Sequence, residues 1–475
     1  MVQINYLALL PEIILAVFGI FVMLAVPFVP ERMQTKLAYP ALLGLLLAGA
    51  AALIFPRSSV QEGMLFHDAF GTFAKLLFFF SSGIVTLVSV SYLDRARLPH
   101  GEFYALLLFA TVGMSLMANS ADLIMTFLGL EILSIATYVL AGFRRHDVKS
   151  GESALKYFLL GSLSTAFLLY GIAFIYGATG TTKYAGIIQA VTVSTDRLLA
   201  LLLGLGLLVV GFGFKAALVP FHVWTPDVYE GAPFPVTAHL AVSSKAAAFL
   251  ALVRILYQVL PQLNAHWETI FWMSAFLTMA LGNIVAVSQT NIKRMLAYSS
   301  IAHAGYLLLG VVANNRNGLQ AVLFYLVSYA LMTLGAFAVV QLIGRENEQA
   351  VSLEDYSGLA YRQPYLAAAL SIFLISLAGI PATAGFMGKL FLFTAAIESH
   401  LYWLVVIGLL ASAIGLYYYL RVIVFMYMRE PGTEGLIVRV PASAAVAIAI
   451  MLAGVFYLGI FPGTFLRLAS EAAHF

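Results

Sequence analysis

Long apolar stretches, separated by short polar or Pro- and Gly-containing segments, follow one another along the whole chain. A bilayer core about 30 Å thick needs roughly 20 apolar residues for each spanning helix, so each stretch predicts a membrane span. The predicted spans are 6–28, 37–55, 70–92, 103–119, 122–142, 154–176, 198–230, 236–260, 268–289, 294–313, 318–344, 365–398, 401–428 and 441–465. The pattern therefore predicts an all-α polytopic membrane protein with about 14 transmembrane helices.

Two of these stretches, 198–230 and 365–398, are too long for one straight span and contain helix breakers. Pro220 follows Lys215 in the first stretch, whereas Gly379 and Pro381 precede Lys389 in the second. Freed carbonyls at membrane depth are tolerated only beside protein or water. A lysine before one break and after the other is what an inverted repeat produces, and paired broken helices point to a transport site.

Composition narrows the function further. The chain is 62% hydrophobic and 10% charged, with a mean hydropathy of +0.95, which is typical of a protein that has lipid as its solvent. It has no Cys, which excludes disulfides, thiolate metal sites and Cys-ligated iron–sulfur clusters. No basic block indicates nucleic acid, and Gly211-x-Gly213-x-x-Ala216 lacks the βαβ context of a dinucleotide site. The first thirty residues have no basic n-region and contain Glu12, so we expect a retained first helix.

The basic residues in the connecting segments are distributed unevenly. With the N-terminus outside, the inner segments hold thirteen Lys and Arg residues and the outer segments hold five. This bias follows the positive-inside rule, so we expect both termini on the periplasmic side of a bacterial inner membrane. The remaining seven basic residues lie inside predicted spans: Lys75, Lys156, Lys215, Lys245, Arg254, Lys389 and Arg421.

Charges inside the membrane are costly, at about 2.5–3.5 kcal/mol each on insertion scales. Lys75, Arg254 and Arg421 lie within about two turns of a predicted helix end, so snorkelling to the interface explains them. Lys156 is open to the same explanation.

The acid Glu131 and the lysines Lys215, Lys245 and Lys389 cannot reach water in this way. They form either buried ion pairs that support packing or titrating groups of an ion path. His303 is a candidate proton carrier or a hydrogen-bonded core histidine, and His239 is a weaker candidate.

Four segments carry a family resemblance. They are Val219–Pro235 (VPFHVWTPDVYEGAPFP), Ser288–Tyr306 (SQTNIKRMLAYSSIAHAGY), Leu377–Lys389 (LAGIPATAGFMGK) and Gly415–Arg421 (GLYYYLR). They resemble the antiporter-like membrane subunits of bacterial respiratory complex I (NADH:quinone oxidoreductase), a family related to the Mrp cation/proton antiporters. Lys389 favours the subunit N branch, because subunit M carries an acid at the corresponding place.

The resemblance implies two inverted five-helix repeats in a single membrane domain. The expected parts are an N-terminal region 1–100, a first repeat 103–260, a second repeat 268–428 and a C-terminal helix 441–475. It also implies that proton transfer is carried by Glu131, Lys215, Lys245, Lys389, His303 and Lys156.

The implied function is proton translocation coupled to quinone reduction elsewhere in the complex. No cofactor is expected on this chain, while other subunits carry FMN and iron–sulfur clusters. The expected partners are the neighbouring antiporter-like and small membrane subunits, and the bilayer. Two alternatives stay open at this point: an Mrp-type cation/proton antiporter subunit, and a membrane scaffold with vestigial charges.

Overall fold

The computed structural model describes residues 9–54, 58–62, 64–193, 197–344, 351–431 and 439–473. The start of the first predicted span at residues 6–8, the end of the second at residue 55, and the basic residues Arg57 and Arg345 lie outside the described residues. So do residues 474–475 of the expected C-terminal region.

Helices dominate the described chain. The helices up to the first break are Leu10–Ala25 (α1), Ala38–Ile54 (α2), Ala69–Arg95 (α3), His100–Ala118 (α4), Leu123–Ala141 (α5), Val148–Thr179 (α6), Tyr184–Val193 (α7) and Leu198–Ala216 (α8). Those that follow are Thr225–Gly231 (α9), Phe234–His239 (α10), Lys245–Arg254 (α11), Asn264–Ser288 (α12), Ile292–Val312 (α13), Arg316–Ile343 (α14), Leu359–Arg362 (α15), Pro364–Ala378 (α16), Ala384–Glu398 (α17), Tyr402–Met428 (α18), Ala442–Ile460 (α19) and Pro462–Ala472 (α20).

Within the described residues, thirteen helical segments are long and apolar enough to cross a membrane. Helices α16 and α17, which follow each other across the break, together supply one further crossing. The prediction of an all-α polytopic membrane protein is therefore confirmed. The second overlong stretch is indeed interrupted, since α16 ends at Ala378 and α17 begins at Ala384. The first is interrupted between Ala216 and Thr225.

Successive spans run in opposite directions, so the connecting segments gather at two ends of the bundle. At one end, which we call the Arg294 end, Arg95 donates to the carbonyls of Gln341 and Leu342. At the opposite end, the Asp122 end, a bridge joins Asp122 to Lys183 and Asn315 bonds Ser399.

Several short elements were not predicted from the sequence. Strands Ser58–Glu62 (β1) and Leu65–His67 (β2) pair antiparallel between α2 and α3. Helices α7 and α20 are only 10 and 11 residues long, which is too short to give a membrane-span signal. Helix α6 begins at Val148 rather than at residue 154, because the Asp147 carboxylate caps it by accepting from the amides of Lys149 and Ser150.

One span has an irregular backbone. Between α10 and α11 the residues Leu240–Ser244 form a π-helical turn, and a second π turn, Ile255–Val259, follows α11. π turns occur often at functional sites. Lys245 is the first residue after the first wide turn, so this irregularity determines the direction in which its side chain points.

The interior of the bundle lies around three spans. In the apolar part of these spans, Phe234–Val259, Ile292–Val312 and Arg316–Ile343, 94% of the residues are buried. In α6 the corresponding share is 33%, so this helix faces outward. Polar groups on the three inner spans are therefore shielded from lipid by the protein itself.

Candidate proton-transfer site

Lys215 lies in the last turn of α8 and is 3% exposed. Its ammonium donates to Ser134 Oγ on α5 and to Tyr157 Oη on α6, both at 2.9 Å. The Tyr138 and Tyr157 rings lie 5.7 and 5.1 Å from the same nitrogen. Hydroxyls and aromatic faces thus stabilise the cation at a depth where water does not.

Glu131 lies one turn before Ser134 on α5, on the side of the helix that faces Lys215. One of its carboxylate oxygens, Oε1, is buried without a hydrogen-bond partner among the described residues. The described ion pairs do not include a Glu131–Lys215 pair, since Lys215 uses hydroxyl partners instead. The structure therefore brings the two residues to one site without direct contact.

Lys245 is 1% exposed and donates to the Ser300 carbonyl at 2.6 Å and to the Ser300 hydroxyl. Ser300 lies on α13, one turn before His303. His303 is 1% exposed, and its ring bonds Tyr325 through Nδ1 at 2.6 Å and Tyr419 through Nε2 at 3.1 Å. These contacts fit both interpretations of His303, as a hydrogen-bonded core histidine and as a proton carrier.

Lys389 is 6% exposed and folds back over the break that precedes it. Its ammonium donates to the carbonyls of Leu377 at 3.1 Å and Ala378 at 2.9 Å, the last two residues of α16. It also donates to Ser412 Oγ at 2.9 Å and lies 4.9 Å from the centre of the Tyr306 ring. A cation at a helix C-terminus satisfies freed carbonyls and complements the helix dipole.

Helix α13 lies between two buried lysines, Lys245 and Lys389. Ser300, His303 and Tyr306 recur every three residues, so they share one face of the helix. Ser300 contacts Lys245 and the Tyr306 ring contacts Lys389, with His303 between them. The structure therefore places three sequence-predicted residues, Lys245, His303 and Lys389, along one polar line beside α13. Within this line His303 bonds Tyr325 and Tyr419 rather than the two lysines.

The line between Lys215 and Lys245 is less complete. His239 is fully buried there, and neither of its ring nitrogens has a hydrogen-bond partner within the described residues. The hydroxyls of Tyr229 and Ser243 are likewise buried without a hydrogen-bond partner among the described residues. Buried polar groups are nearly always hydrogen-bonded, so these atoms set this part of the bundle apart from the line beside α13.

Lys156 lies apart from this line, nearer the Arg294 end. Its side chain is 40% exposed and forms ion pairs with Glu152 and Asp227, both at 2.7 Å. The structure does not bring it into contact with Lys215, although the next residue, Tyr157, touches that ammonium.

Snorkelling was the wrong explanation for two residues. Lys75 is 2% exposed and pairs with Glu12 at 2.9 Å, and Ser115 donates to the same carboxylate. Arg254 is 1% exposed and binds both oxygens of Asp68 at 2.7 and 2.9 Å. Burial raises the pKa of Asp68, but the Arg254 guanidinium outweighs it and holds that pKa below its ordinary value. The Arg254–Asp68 pair ties the N-terminal region to the rest of the bundle, whereas the Lys75–Glu12 pair lies within that region.

Arg421 likewise satisfies protein carbonyls rather than only water, since its guanidinium donates to Val287 and Gln289. None of these three residues contacts the line of Lys245, His303 and Lys389 among the described hydrogen bonds. No cluster of three or more His, Asp and Glu residues that could hold a metal is present in the described part of the chain.

Known proteins resemble this chain over the region that contains these residues. The family model described as "NADH:quinone oxidoreductase/Mrp antiporter, TM" matches residues 120–415, which include every residue of the line. A curated relative, NADH-quinone oxidoreductase subunit N of Trichlorobacter lovleyi, is 46% identical over 472 residues, covering 99% of this chain and 97% of the relative. The chain belongs to this family.

Two solved structures extend the comparison within the NADH:quinone oxidoreductase/Mrp antiporter family. A chain of respiratory complex I from Thermus thermophilus with bound aureothin is 37% identical, with a TM-score of 0.83 over 97% of this chain and 99% of that one. A chain of the Mrp complex from Dietzia has a TM-score of 0.86 over 99% and 97%, but at 20% identity it shows the fold alone.

Sequence reasoning missed the neutral members of this family site. Ser134, Tyr157 and Ser412 hold the two terminal lysines, and Ser300 and Tyr419 join the middle groups. Two of these, Ser300 and Tyr419, fall inside segments that carried the resemblance. The other signal was the charge itself, because every buried lysine needs hydrogen-bond acceptors around its ammonium.

Proposed function

We propose that the chain is the antiporter-like subunit N of a bacterial NADH:quinone oxidoreductase and that it translocates protons. The observation that carries this proposal is the polar line from Lys245 through Ser300 and His303 to Lys389, buried inside a membrane protein. Charges so placed are expensive and usually mark ion paths. Each of the three titrating groups has a hydroxyl within hydrogen-bond reach. These hydroxyls belong to Ser300 for Lys245, to Tyr325 and Tyr419 for His303, and to Ser412 for Lys389.

In the first half, Glu131 and Lys215 form the site that loads a proton. Burial disfavours the charged form of a lysine, while a nearby carboxylate favours it. A change in the separation of Glu131 and Lys215 therefore changes how firmly the proton is held. Release toward Lys245, then His303 and Lys389, follows from the order in which these groups lie. Lys156 supplies a charge at the Arg294 end of this site.

Driving force has to come from outside this chain. A proton moved across the membrane works against about 2.3 kcal/mol for each 100 mV. Quinone reduction by NADH elsewhere in the complex is the proposed source. FMN and iron–sulfur clusters belong to other subunits, and this chain carries no redox centre in the proposal. The neighbouring antiporter-like and small membrane subunits are its partners.

Orientation and internal symmetry are part of the same proposal. The Arg294 end faces the cytoplasm and both termini face the periplasm, as the basic residues indicate. Regions 103–260 and 268–428 act as inverted repeats, each with one broken helix. The Mrp-type antiporter remains the alternative, but the subunit N relative and the complex I structure share far more identity with this chain than the Mrp structure does.

Proton uptake per NADH oxidised, measured in inverted membrane vesicles, tests the proposal. Lys215→Ala or Glu131→Ala should lower this ratio several-fold, because each removes a titrating group from the loading site. Lys183→Ala is the matched control, since that side chain is exposed at the Asp122 end. The amount of assembled complex is measured for every variant. A normal ratio in both Lys215→Ala and Glu131→Ala would contradict the proposal.

A further inference from the structure

A charged cavity of about 200 Å³ opens at the Arg294 end, beside the short helix α9. Its charged lining residues are Lys149, Glu152, Lys156, Asp227, Glu230 and Arg294. Acidic and basic groups are equal in number, so the cavity does not select an ion of either sign. Its side chains are engaged with one another, and that engagement fixes α9.

Ion pairs tether α9 to two long helices. Asp227 accepts from Lys156 on α6 at 2.7 Å and from Arg294 on α13 at 2.8 Å. Glu230 accepts from the same Arg294 at 2.9 Å and from Lys149 at 3.0 Å. Burial raises the pKa of both carboxyls, but these hydrogen bonds outweigh it and leave each pKa below its ordinary value. Both carboxylates are therefore ionised at neutral pH.

Three aromatic rings lie directly inward of this network. Trp224 immediately precedes α9, is 3% exposed, and stacks on Tyr157 with ring centres 4.6 Å apart and planes 16° apart. Phe214 packs against both of these rings, with its centre 5.2 Å from Trp224 and 6.3 Å from Tyr157, so the three rings form one compact stack. Trp224 Nε1 also donates to the Phe214 carbonyl at 2.9 Å, which fixes the indole in place.

Lys215 lies on the far side of this stack. The Tyr157 hydroxyl accepts from its ammonium, and Phe214 is its neighbour in sequence. The space next to Lys215 is small, about 10 Å³, and Thr165 is among the residues that line it. Phe214 belongs to the wall of this small space, and Trp224 adjoins helix α9 beside the charged cavity, so the stack joins the surroundings of the two cavities.

We propose that the Phe214–Trp224–Tyr157 stack is a gate between the Arg294 end and Lys215, and that the ion pairs of α9 hold it closed. This inference rests on the proposed function, because a gate matters only if Lys215 exchanges protons. Trp224 is rigidly connected to α9, so opening requires α9 to move and its ion pairs to separate. Partly exposed ion pairs are individually weak, so a small change in the surrounding charges suffices to release them.

The gate also explains how a continuous leak is avoided. With the stack closed, the Tyr157 hydroxyl is bound to Lys215 and its ring blocks the cavity. With the stack open, Lys215 meets water from the Arg294 end only. Access to Lys215 and proton transfer along α13 are then separate events.

Cysteine labelling in the assembled complex tests the gate, because this chain has no native Cys. Thr165→Cys reports access to the space beside Lys215, and Gly151→Cys is the matched control. Gly151 is exposed at the Arg294 end of the same helix, and a side chain there meets open space. A membrane-impermeant cationic methanethiosulfonate is applied to vesicles of each orientation, and the labelled fraction of this subunit is followed by mass spectrometry.

We expect slow labelling of Thr165→Cys and at least tenfold faster labelling when Trp224→Ala is added. Glu230→Gln should accelerate it severalfold, and acceleration should occur only from the side of the Arg294 end. Trp403→Ala, an exposed tryptophan on α18, is the control and should change nothing. Gly151→Cys should label rapidly in every background.

The gate is overturned if Thr165→Cys labels as fast as Gly151→Cys in the native background. It is also overturned if Trp224→Ala leaves the rate unchanged in assembled complex. Should Trp224→Ala not assemble, Glu230→Gln decides, and an unchanged rate rejects the gate. Labelling measures access to the space beside Lys215 and does not measure pumping. Failure of the proposed function would appear instead as normal proton uptake in Lys215→Ala, so the two failures can be told apart.

Discussion

The two broken helices each place a lysine beside a backbone interruption, but they hold that lysine differently. Lys215 precedes its break and is bound by side-chain hydroxyls from α5 and α6. Lys389 follows its break and is bound mainly by the carbonyls that the break itself frees on α16. In the second broken helix the lysine itself bonds the carbonyls that the break leaves free. In the first broken helix the lysine does not take this role.

Restraint of the broken segments differs as well. Helix α9 is tied by four ion pairs to α6 and α13, whereas α16 carries no charged residue and α17 carries only Lys389 and Glu398. The comparison indicates that the first break is built to be held and released, and the second to keep a cation at a helix end. Two broken helices in one chain need not share a mechanism.

The largest expected effect comes from replacing each lysine by arginine. Arginine keeps the charge but does not deprotonate at any working pH, so both Lys389→Arg and Lys215→Arg should abolish proton uptake per NADH. They should differ in assembly. A guanidinium can still bond the α16 carbonyls, whereas the space of about 10 Å³ beside Lys215 cannot take the larger group.

The measurement for this pair is proton uptake together with the level of assembled complex, with Lys389→Ala as the variant that removes the charge. We expect Lys389→Arg to assemble normally and Lys215→Arg to assemble poorly. Normal uptake in Lys389→Arg would leave Lys389 as a fixed charge and reject it as a proton carrier.

A smaller effect is expected from deleting one hydroxyl at each lysine. Ser134→Ala removes one of two hydrogen-bond acceptors of Lys215, while Ser412→Ala leaves Lys389 with two carbonyls. An unmade hydrogen bond to a buried charge costs about 1–3 kcal/mol. Ser134→Ala should therefore lower the NADH-coupled pumping rate at least about fivefold, and Ser412→Ala less than twofold. The reverse order would show that the carbonyls at Lys389 are incidental.

The position of the helices was largely predictable from the sequence, because twenty apolar residues in a row have few structures open to them. Both breaks followed from Pro220 and from Gly379 with Pro381. The prediction that Lys75 and Arg254 snorkel to the interface was wrong. Their distance from a helix end does not show that Glu12 and Asp68 lie beside them. Ion pairs between distant segments are a property of packing, and one sequence contains no record of them.

The candidate site was predictable only in its charged members. Lys215, Lys245 and Lys389 stood out because charge is rare in membrane spans. Tyr157 and Ser134 did not, because serine and tyrosine are ordinary residues there and become informative only when an ammonium lies 2.9 Å away. Trp224 was part of a recognised motif, yet its role depends on stacking against two rings from elsewhere in the chain.

The smallest expected effect concerns pH and the tether of α9. The ordinary pKa values of Asp227 and Glu230 are 3.8 and 4.5, and both are lowered in the folded chain. A lowered pKa means that the stabilisation is present above the ordinary value and is lost as pH falls through the lowered one. Labelling of Thr165→Cys, corrected by the Gly151→Cys rate, should thus stay constant from about pH 8 to about pH 5.5. A steep rise within that window would indicate that other groups hold α9.

The π turn at Leu240–Ser244 has a consequence for insertions and deletions. A π turn is in effect an α-helix with one extra residue, and each residue of an α-helix turns the chain by about 100°. Converting this segment to regular helix with the same number of residues would rotate Lys245 away from Ser300, although no side chain at the site had been altered. Deleting one residue from the segment would instead remove the extra residue and leave Lys245 facing Ser300.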